Sequence, residues 1–250
     1  MLASFDCRQH PLWHEPLPTH LTWMCCTGCG HIHSQNYWTE EGLAQVFSRS
    51  HSYQMAGGDP DQKRQLWKPV VDNVLRIRGG YPHVLTRPQA PGWLDVGCGD
   101  GALVMTADEY GFNAVGLDAR KETVRALQST GYQSMLGDFL NVNLSFRPFV
   151  ISMMDVLEHI PWPSRALDRV RSMLDPEGVL VISLPNTDSS TWRMLDRSHG
   201  NPYWIEIEHY HNFSRLSLTS FLAAHGFDVA YYDIPFRYKA QMELYATMRP

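Results

Sequence analysis

Residues 94–101 read Leu94-Asp95-Val96-Gly97-Cys98-Gly99-Asp100-Gly101, and their reading decides the fold. A short apolar strand, 93–96, runs into glycines at alternate positions, and a helix is predicted over 101–110. Glycine lets the backbone turn tightly and approach a ligand without a Cβ in the way. The helix after the turn offers N–H groups with no intrahelical partner. The G-x-G-x-G spacing differs from the G-x-G-x-x-G of turns that hold a pyrophosphate. Outward from the turn, strand and helix patterns alternate. Strands are predicted at 114–117, 132–136, 149–154 and 178–184, with helices at 121–129 and 163–174 between them. A helix at 216–224 and strands at 228–232 and 242–248 come next. Strands alternating with helices of this length make an α/β fold with a mostly parallel sheet covered on both faces. Right-handed crossovers put the helix N-termini at one edge of such a sheet, and ligands bind there.

Acids stand at the C-terminal ends of those strands. Asp95 lies beside the glycine turn, where it can face a cationic ligand group. Asp118 closes the second strand, 17 residues after Gly101, where an acid can accept both hydroxyls of a ribose. Gly137-Asp138-Phe139 comes after the third strand and offers an acid and an aromatic ring to an adenine. The fourth strand ends in Asp155-Val156-Leu157-Glu158-His159-Ile160. Any one acid at a strand end serves equally as a helix cap. The ordered set is what points to a cofactor site.

These residues resemble motifs I to IV of the class I S-adenosylmethionine (SAM) methyltransferases. The stretch 169–183 resembles the family's post-motif segment, in which a helix and a glycine turn feed the fifth strand. The likeness covers about 92–186. It implies a Rossmann-like seven-stranded sheet of order 3-2-1-4-5-7-6, with the seventh strand antiparallel. It also implies SAM as cofactor. Asp95, Gly97, Gly99, Gly101, Asp118, Asp138, Phe139 and Asp155 are the candidate cofactor residues. Leu157-Glu158-His159-Ile160 and Glu208-His209-Tyr210-His211-Asn212-Phe213-Ser214 narrow the likeness to the subfamily of ubiquinone-type O-methyltransferases and deoxysugar C-methyltransferases.

Four of the five cysteines fall in the first 29 residues. Cys7-x2-His10 and Cys26-x2-Cys29 have the spacing of two zinc knuckles, so structural zinc held by Cys7, His10, Cys26 and Cys29 is the expectation. Cys25 could stand in for Cys26, and His14, His20, His31 or His33 for His10. The deoxysugar enzymes carry a similar N-terminal zinc segment, usually with four cysteines. The chain thus divides into a zinc-ribbon-like segment at 1–40, a helical linker or lid at 41–88, and a methyltransferase domain at 89–250. Leu43, Val46 and Phe47 suggest one helix of the linker, and Leu66, Val70, Val71, Val74 and Leu75 a second. Gly57-Gly58-Asp59-Pro60 separates them. Residues 187–207 are long for a structureless connection and read as a substrate cap.

Composition sets the outer bounds. The chain has 250 residues, 44% hydrophobic and 19% charged, with a net charge of −5. That balance argues against a nucleic-acid partner, which usually leaves an excess of Lys and Arg. No apolar run approaches a membrane span of ~20 residues. No signal peptide is visible, so a cytoplasmic protein is expected.

Methyl transfer is an in-line displacement, and the protein's main contribution is to place the acceptor. A hydroxyl or carbon acid also needs a base. His209 is the candidate, with an ordinary pKa near 6.5, and Glu208 acts beside it as the matched Glu-His pair does in the sugar enzymes. His211 could exchange roles with His209. A second enzymatic reading places a divalent cation on Asp155, Glu158 and His159, as the resemblance to ubiquinone-type enzymes implies. A third is a non-catalytic SAM-binding or zinc interaction module. A fourth, a nicotinamide oxidoreductase, is disfavoured by the glycine spacing. The acceptor is a small molecule, and O-, C- and N-methylation all stay open.

Overall fold

The computed structural model describes residues 1–39, 41–42, 46, 60–86, 88–237 and 240–249. The sequence expectation of a helix around Leu43 and Phe47, and of a break at 57–60, lies largely outside them. The described chain folds into two sheets. The larger one has seven strands: β4 (Gly92–Val96), β5 (Asn113–Asp118), β6 (Gln133–Leu136), β7 (Val150–Met154), β8 (Val179–Pro185), β10 (Phe227–Asp233) and β11 (Gln241–Met248). Their spatial order is β10-β11-β8-β7-β4-β5-β6. Numbered along this sheet alone, that is 3-2-1-4-5-7-6, the order the resemblance implies. β11 runs antiparallel to both neighbours, and the other pairings are parallel.

Strand periodicity explains why both faces are covered. Along β8, Val179 and Val181 face one way, and Leu180, Ile182 and Leu184 face the other. The valine side packs against α1 (Pro60–Ile77), α3 (Ala102–Tyr110) and α4 (Lys121–Ser129), which supply Val70, Val71 and Val74, Leu103, Val104 and Ala107, and Leu127. The leucine side packs against α5 (Pro163–Met173) and α7 (Arg215–Ala224), which supply Ala166, Leu167 and Val170, and Leu218 and Leu222. Helix α1 therefore belongs to the layered core. The expectation of a linker or lid does not describe residues 60–77. A short helix, α2 (Tyr81–Leu85), leads from α1 into β4.

The smaller sheet is the main departure from the sequence reading. β1 (Ala3–Asp6), β2 (His20–Cys25) and β3 (Ile32–Ser34) form an antiparallel meander, and β9 (His211–Asn212) completes it. β9 comes immediately after the Glu208-His209 segment. The sheet therefore crosses the boundary drawn at residue 40 and ties the N-terminal segment to the C-terminal edge of the large sheet. The stretch 187–207, expected to be a cap, carries α6 (Ser190–Arg197) and a 3-10 turn (Pro202–Trp204). Trp204 stacks on Phe5 at 5.5 Å, and Trp23 donates its indole N–H to the Trp204 carbonyl.

This sheet does not assemble the four expected zinc ligands. Cys7 comes just after β1 and pairs with Thr19, just before β2, whereas Cys26 and Cys29 lie beyond the far end of β2. The six residues of β2 span ~20 Å. Zinc holds sulfur at ~2.3 Å, so one ion cannot reach both pairs. Cys7 is buried with its thiol on the Pro18 carbonyl, and Cys26 and Cys29 are exposed. The quartet Cys7, His10, Cys26 and Cys29 does not fit a single zinc ion.

Candidate active site

The glycine turn is pinned to the end of β5: the N–H groups of Gly97 and Cys98 both donate to the Leu117 carbonyl, at 2.7 and 3.1 Å. Gly97 has φ +66, and a Cβ there would sit 2.6 Å from Cγ2 of Val156. The position requires glycine for both conformation and space. Beyond the turn, Lys63 of α1 pairs with Asp100 at 2.7 Å, so α1 also holds the mouth of the cleft.

Asp95 is nearly inaccessible. It accepts a 2.6 Å bond from Ser152, whose hydroxyl is itself held by the Trp93 indole N–H. Burial pushes its carboxyl up to about 7, against the Ser152 bond. Asp118, also buried, accepts bonds from the Gly99 N–H and from Arg120. Asp138 is exposed and accepts from Leu140 N–H and the Asn141 amide, a loop cap beyond β6. Phe139 lies in the core among Val96, Leu117 and Ile151. Its ring is a packing element, which separates it from the exposed Asp138. Asp155 turns the chain out of β7 with φ +56 and is bonded by the Gln241 amide. Burial pushes its carboxyl up to about 6.

The second half of the site is a nest of acids and imidazoles. His159, on the 3-10 turn Leu157–His159, and His209 meet edge-on with centroids 4.7 Å apart. Nδ1 of His159 lies 2.9 Å from the Glu208 carbonyl, and the backbone bond Tyr210 N–H to Glu158 O closes the two segments together. His10 reaches in from the N-terminal segment, and its Nε2 lies 2.8 Å from Oε1 of Glu206. A residue expected to bind zinc thus packs into this cluster of acids and imidazoles. No sequence motif marks Glu206, although it stands two residues before Glu208.

Burial sorts these groups by charge. His209 is held down to about 3 by desolvation and by His159, so it is neutral at physiological pH. Glu208 is pushed up to about 7 by desolvation and by Glu206, with His10 and Arg120 pulling the other way. Glu206 resists desolvation through His10, His209 and His159, which hold it down at about 2. Glu158 is fully buried with both carboxyl oxygens unpartnered by protein, and desolvation drives its pKa well up. His211 sits further along, its Nδ1 3.1 Å from Nε2 of His31, and burial holds it down to about 3. That pairing engages His211 with β3's side of the small sheet, and His159 and Glu206 are the groups that surround His209.

Among the described residues, Glu158, His159 and His209 are the one set of three potential ligands whose donor atoms converge, within 4.8 Å of one another. The sequence points to Asp155 as the third member. The structure engages Asp155 with Gln241 and brings His209 instead. Beside Gln241, a cavity of about 340 Å³ opens between the end of β8 and the ends of β10 and β11, lined by Asn186, Arg215 and Tyr232 among others. No helix of the described residues is long and apolar enough to cross a membrane.

Comparison with known proteins bears on the fold and the family. Two ubiquinone biosynthesis O-methyltransferases are similar in sequence. The protein from Psychrobacter cryohalolentis is 30% identical over 125 residues, covering 42% of this chain and 49% of that protein. The one from Actinobacillus pleuropneumoniae is 32% identical over 114 residues, covering 41% and 49%. The chain therefore matches about half the length of these curated relatives. In structure, it resembles the SAM-bound magnesium protoporphyrin IX methyltransferase of Synechocystis PCC 6803. The TM-score is 0.59 at 16% identity, covering 86% of this chain and all of that one, a likeness of fold. The methyltransferase domain family matches residues 63–232. That match spans more than half of the chain, which belongs to the methyltransferase domain family.

Proposed function

We propose that this protein is an enzyme that transfers the methyl group of SAM to a hydroxyl of a small-molecule acceptor. The observation that carries the reading is the juxtaposition at one sheet edge. A glycine turn and a buried carboxylate, Asp118, stand at the ends of β4 and β5. A buried Glu-His nest stands beside the ends of β7 and β8. The chain's residues fit the cofactor: glycines at 97, 99 and 101 let the backbone come close to a ligand, and the carboxylates of Asp95 and Asp118 match a cationic end and a diol. When bound, SAM supplies an electrophilic methyl on a sulfonium. Everything else falls to this chain.

The base assignment shifts within the expected pair. A general base works best when its pKa lies near the working pH. Glu208, at about 7, meets that condition, and His209, at about 3, is a neutral hydrogen-bonding group that orients the acceptor. The acceptor proton passes to the Glu208 carboxylate as the hydroxyl oxygen attacks. The relatives' names include O-methylation in ubiquinone biosynthesis, which favours a phenolic hydroxyl, whose pKa near 10 is within reach of such a base. The cavity beside Gln241 would take the body of the acceptor, with Arg215 and Tyr232 on its wall. Incubation with methyl-labelled SAM and a panel of catechols, other phenols and amines tests this. Label is expected on a phenolic oxygen. Label on nitrogen or carbon alone would refute the hydroxyl assignment.

A second reading has a specific observation behind it. Glu158, with both oxygens unpartnered, converges with His159 and His209, and the Glu208 carbonyl orients the His159 ring. A backbone carbonyl on the remote nitrogen is the usual support for a metal-binding imidazole. These three residues would hold a divalent cation, which would lower the pKa of an acceptor hydroxyl. Elemental analysis and turnover after chelation separate the readings. Metal-free protein with full activity leaves the Glu208 base alone.

A further inference from the structure

Arg120 belongs to none of the sequence motifs, yet it engages Asp118, the proposed ribose acceptor. Oδ1 of Asp118 accepts the Arg120 backbone N–H at 2.9 Å and Arg120 Nε at 2.9 Å. Oδ2 accepts the Gly99 N–H at 3.1 Å and Arg120 Nη2 at 2.9 Å. A carboxylate has about four acceptor sites, two per oxygen. Asp118 is therefore saturated, and the Arg120 side chain holds half of its capacity. A ribose diol is also a two-donor group, and it needs the same two sites.

We propose that the Arg120 side chain competes with the cofactor ribose for Asp118. The inference rests on the proposed cofactor role of Asp118. The exchange balances one for one: two hydroxyl donors replace Nε and Nη2, and the two backbone N–H bonds stay. The competition costs the protein part of its affinity for the cofactor.

The test needs no acceptor. S-Adenosylhomocysteine affinity is measured by calorimetry for the wild type, Arg120→Met and Arg120→Lys. Adenosine and 2′,3′-dideoxyadenosine are measured on the same proteins by competition. Removing the competitor should tighten S-adenosylhomocysteine by about tenfold in Arg120→Met, the worth of one net hydrogen bond. Adenosine should gain alike, and dideoxyadenosine, which lacks the diol, should not. Lysine keeps the charge but not the two-pronged fork, so Arg120→Lys should fall between. It carries the test alone if Arg120→Met fails to fold. Equal or weaker S-adenosylhomocysteine binding by the folded variants overturns the inference. So does an equal gain for dideoxyadenosine, which a merely structural change would give. If the wild type binds no S-adenosylhomocysteine, the proposed function falls with the inference. If it binds and the variants do not gain, only the inference falls.

Discussion

The buried Asp95 makes cofactor affinity depend on pH in a calculable way. Its carboxyl stands at about 7 because burial opposes its charge, and the single Ser152 bond at 2.6 Å only partly offsets that. An ammonium group placed against Asp95 would favour the carboxylate and lower its pKa in the complex. Affinity then rises with pH until the free protein has ionised Asp95, and levels above about 7. Below that point each pH unit weakens binding about tenfold, equal to ~1.4 kcal/mol. Between the plateau and about pH 5.5 the loss should reach ~30-fold. Glu208 and Asp155 titrate nearby, so the control is Asp95→Asn, which keeps the shape and removes the charge. Calorimetry with S-adenosylhomocysteine from about pH 5.5 to 8.5 should give the limb for the wild type. It should give a flat, weaker profile for Asp95→Asn, by about 10- to 100-fold at the alkaline end. A wild-type profile flat across this range, or a limb that survives in Asp95→Asn, would refute the reasoning.

Single contacts set the other expectations. Gly97→Ala should abolish S-adenosylhomocysteine binding and lower the melting temperature. Its Cβ meets Val156 at 2.6 Å, and φ +66 adds ~1–2 kcal/mol of strain for any L-residue. His10→Ala should cost about 3 kcal/mol in chemical denaturation by leaving Glu206 without its partner, while the zinc content of the purified protein does not change. Glu206 is held down from 4.5 to about 2, so its contribution is fully present above about pH 4.5 and is lost as pH falls toward 2. Stability of Glu206→Gln should accordingly depend less on pH across that window. Glu208→Gln should lower kcat about 10²–10⁴-fold and remove an acid limb near pH 7. His209→Ala should leave that limb in place, and the opposite pattern would return the base role to His209.

The large sheet was legible because its punctuation is local. Glycines at 97, 99 and 101, acids at strand ends, and helices of two to three turns fix element type and order without knowledge of the rest. The boundaries moved by one or two residues, as at β10, read as 228–232 and observed as Phe227–Asp233. The small sheet was not legible. Its strands have between two and six residues, and β9 exists only because β3 lies beside it. Ligand spacing misled for a related reason. Cys7-x2-His10 and Cys26-x2-Cys29 each have knuckle geometry, but the length of β2 between them decides whether they meet. In the candidate site, Asp118 and the Glu208-His209 segment stand out in the sequence by position. Arg120 and Glu206 do not, because what distinguishes them is their contacts with Asp118 and His10 in the folded chain. Phe139 shows the converse: it stands where a ring is wanted, and the core takes it.

The central claim is that a nucleoside cofactor sits on the glycine turn with its ribose on Asp118, and titration of the wild type and Asp118→Ala with SAM tests it most directly. Calorimetry should give one site per chain for the wild type. Asp118→Ala, shown to be folded by circular dichroism, should bind about 10- to 100-fold more weakly, the ~1–3 kcal/mol of lost charge-assisted bonds. Absence of SAM binding by the wild type, or equal binding by the two proteins, would contradict the account.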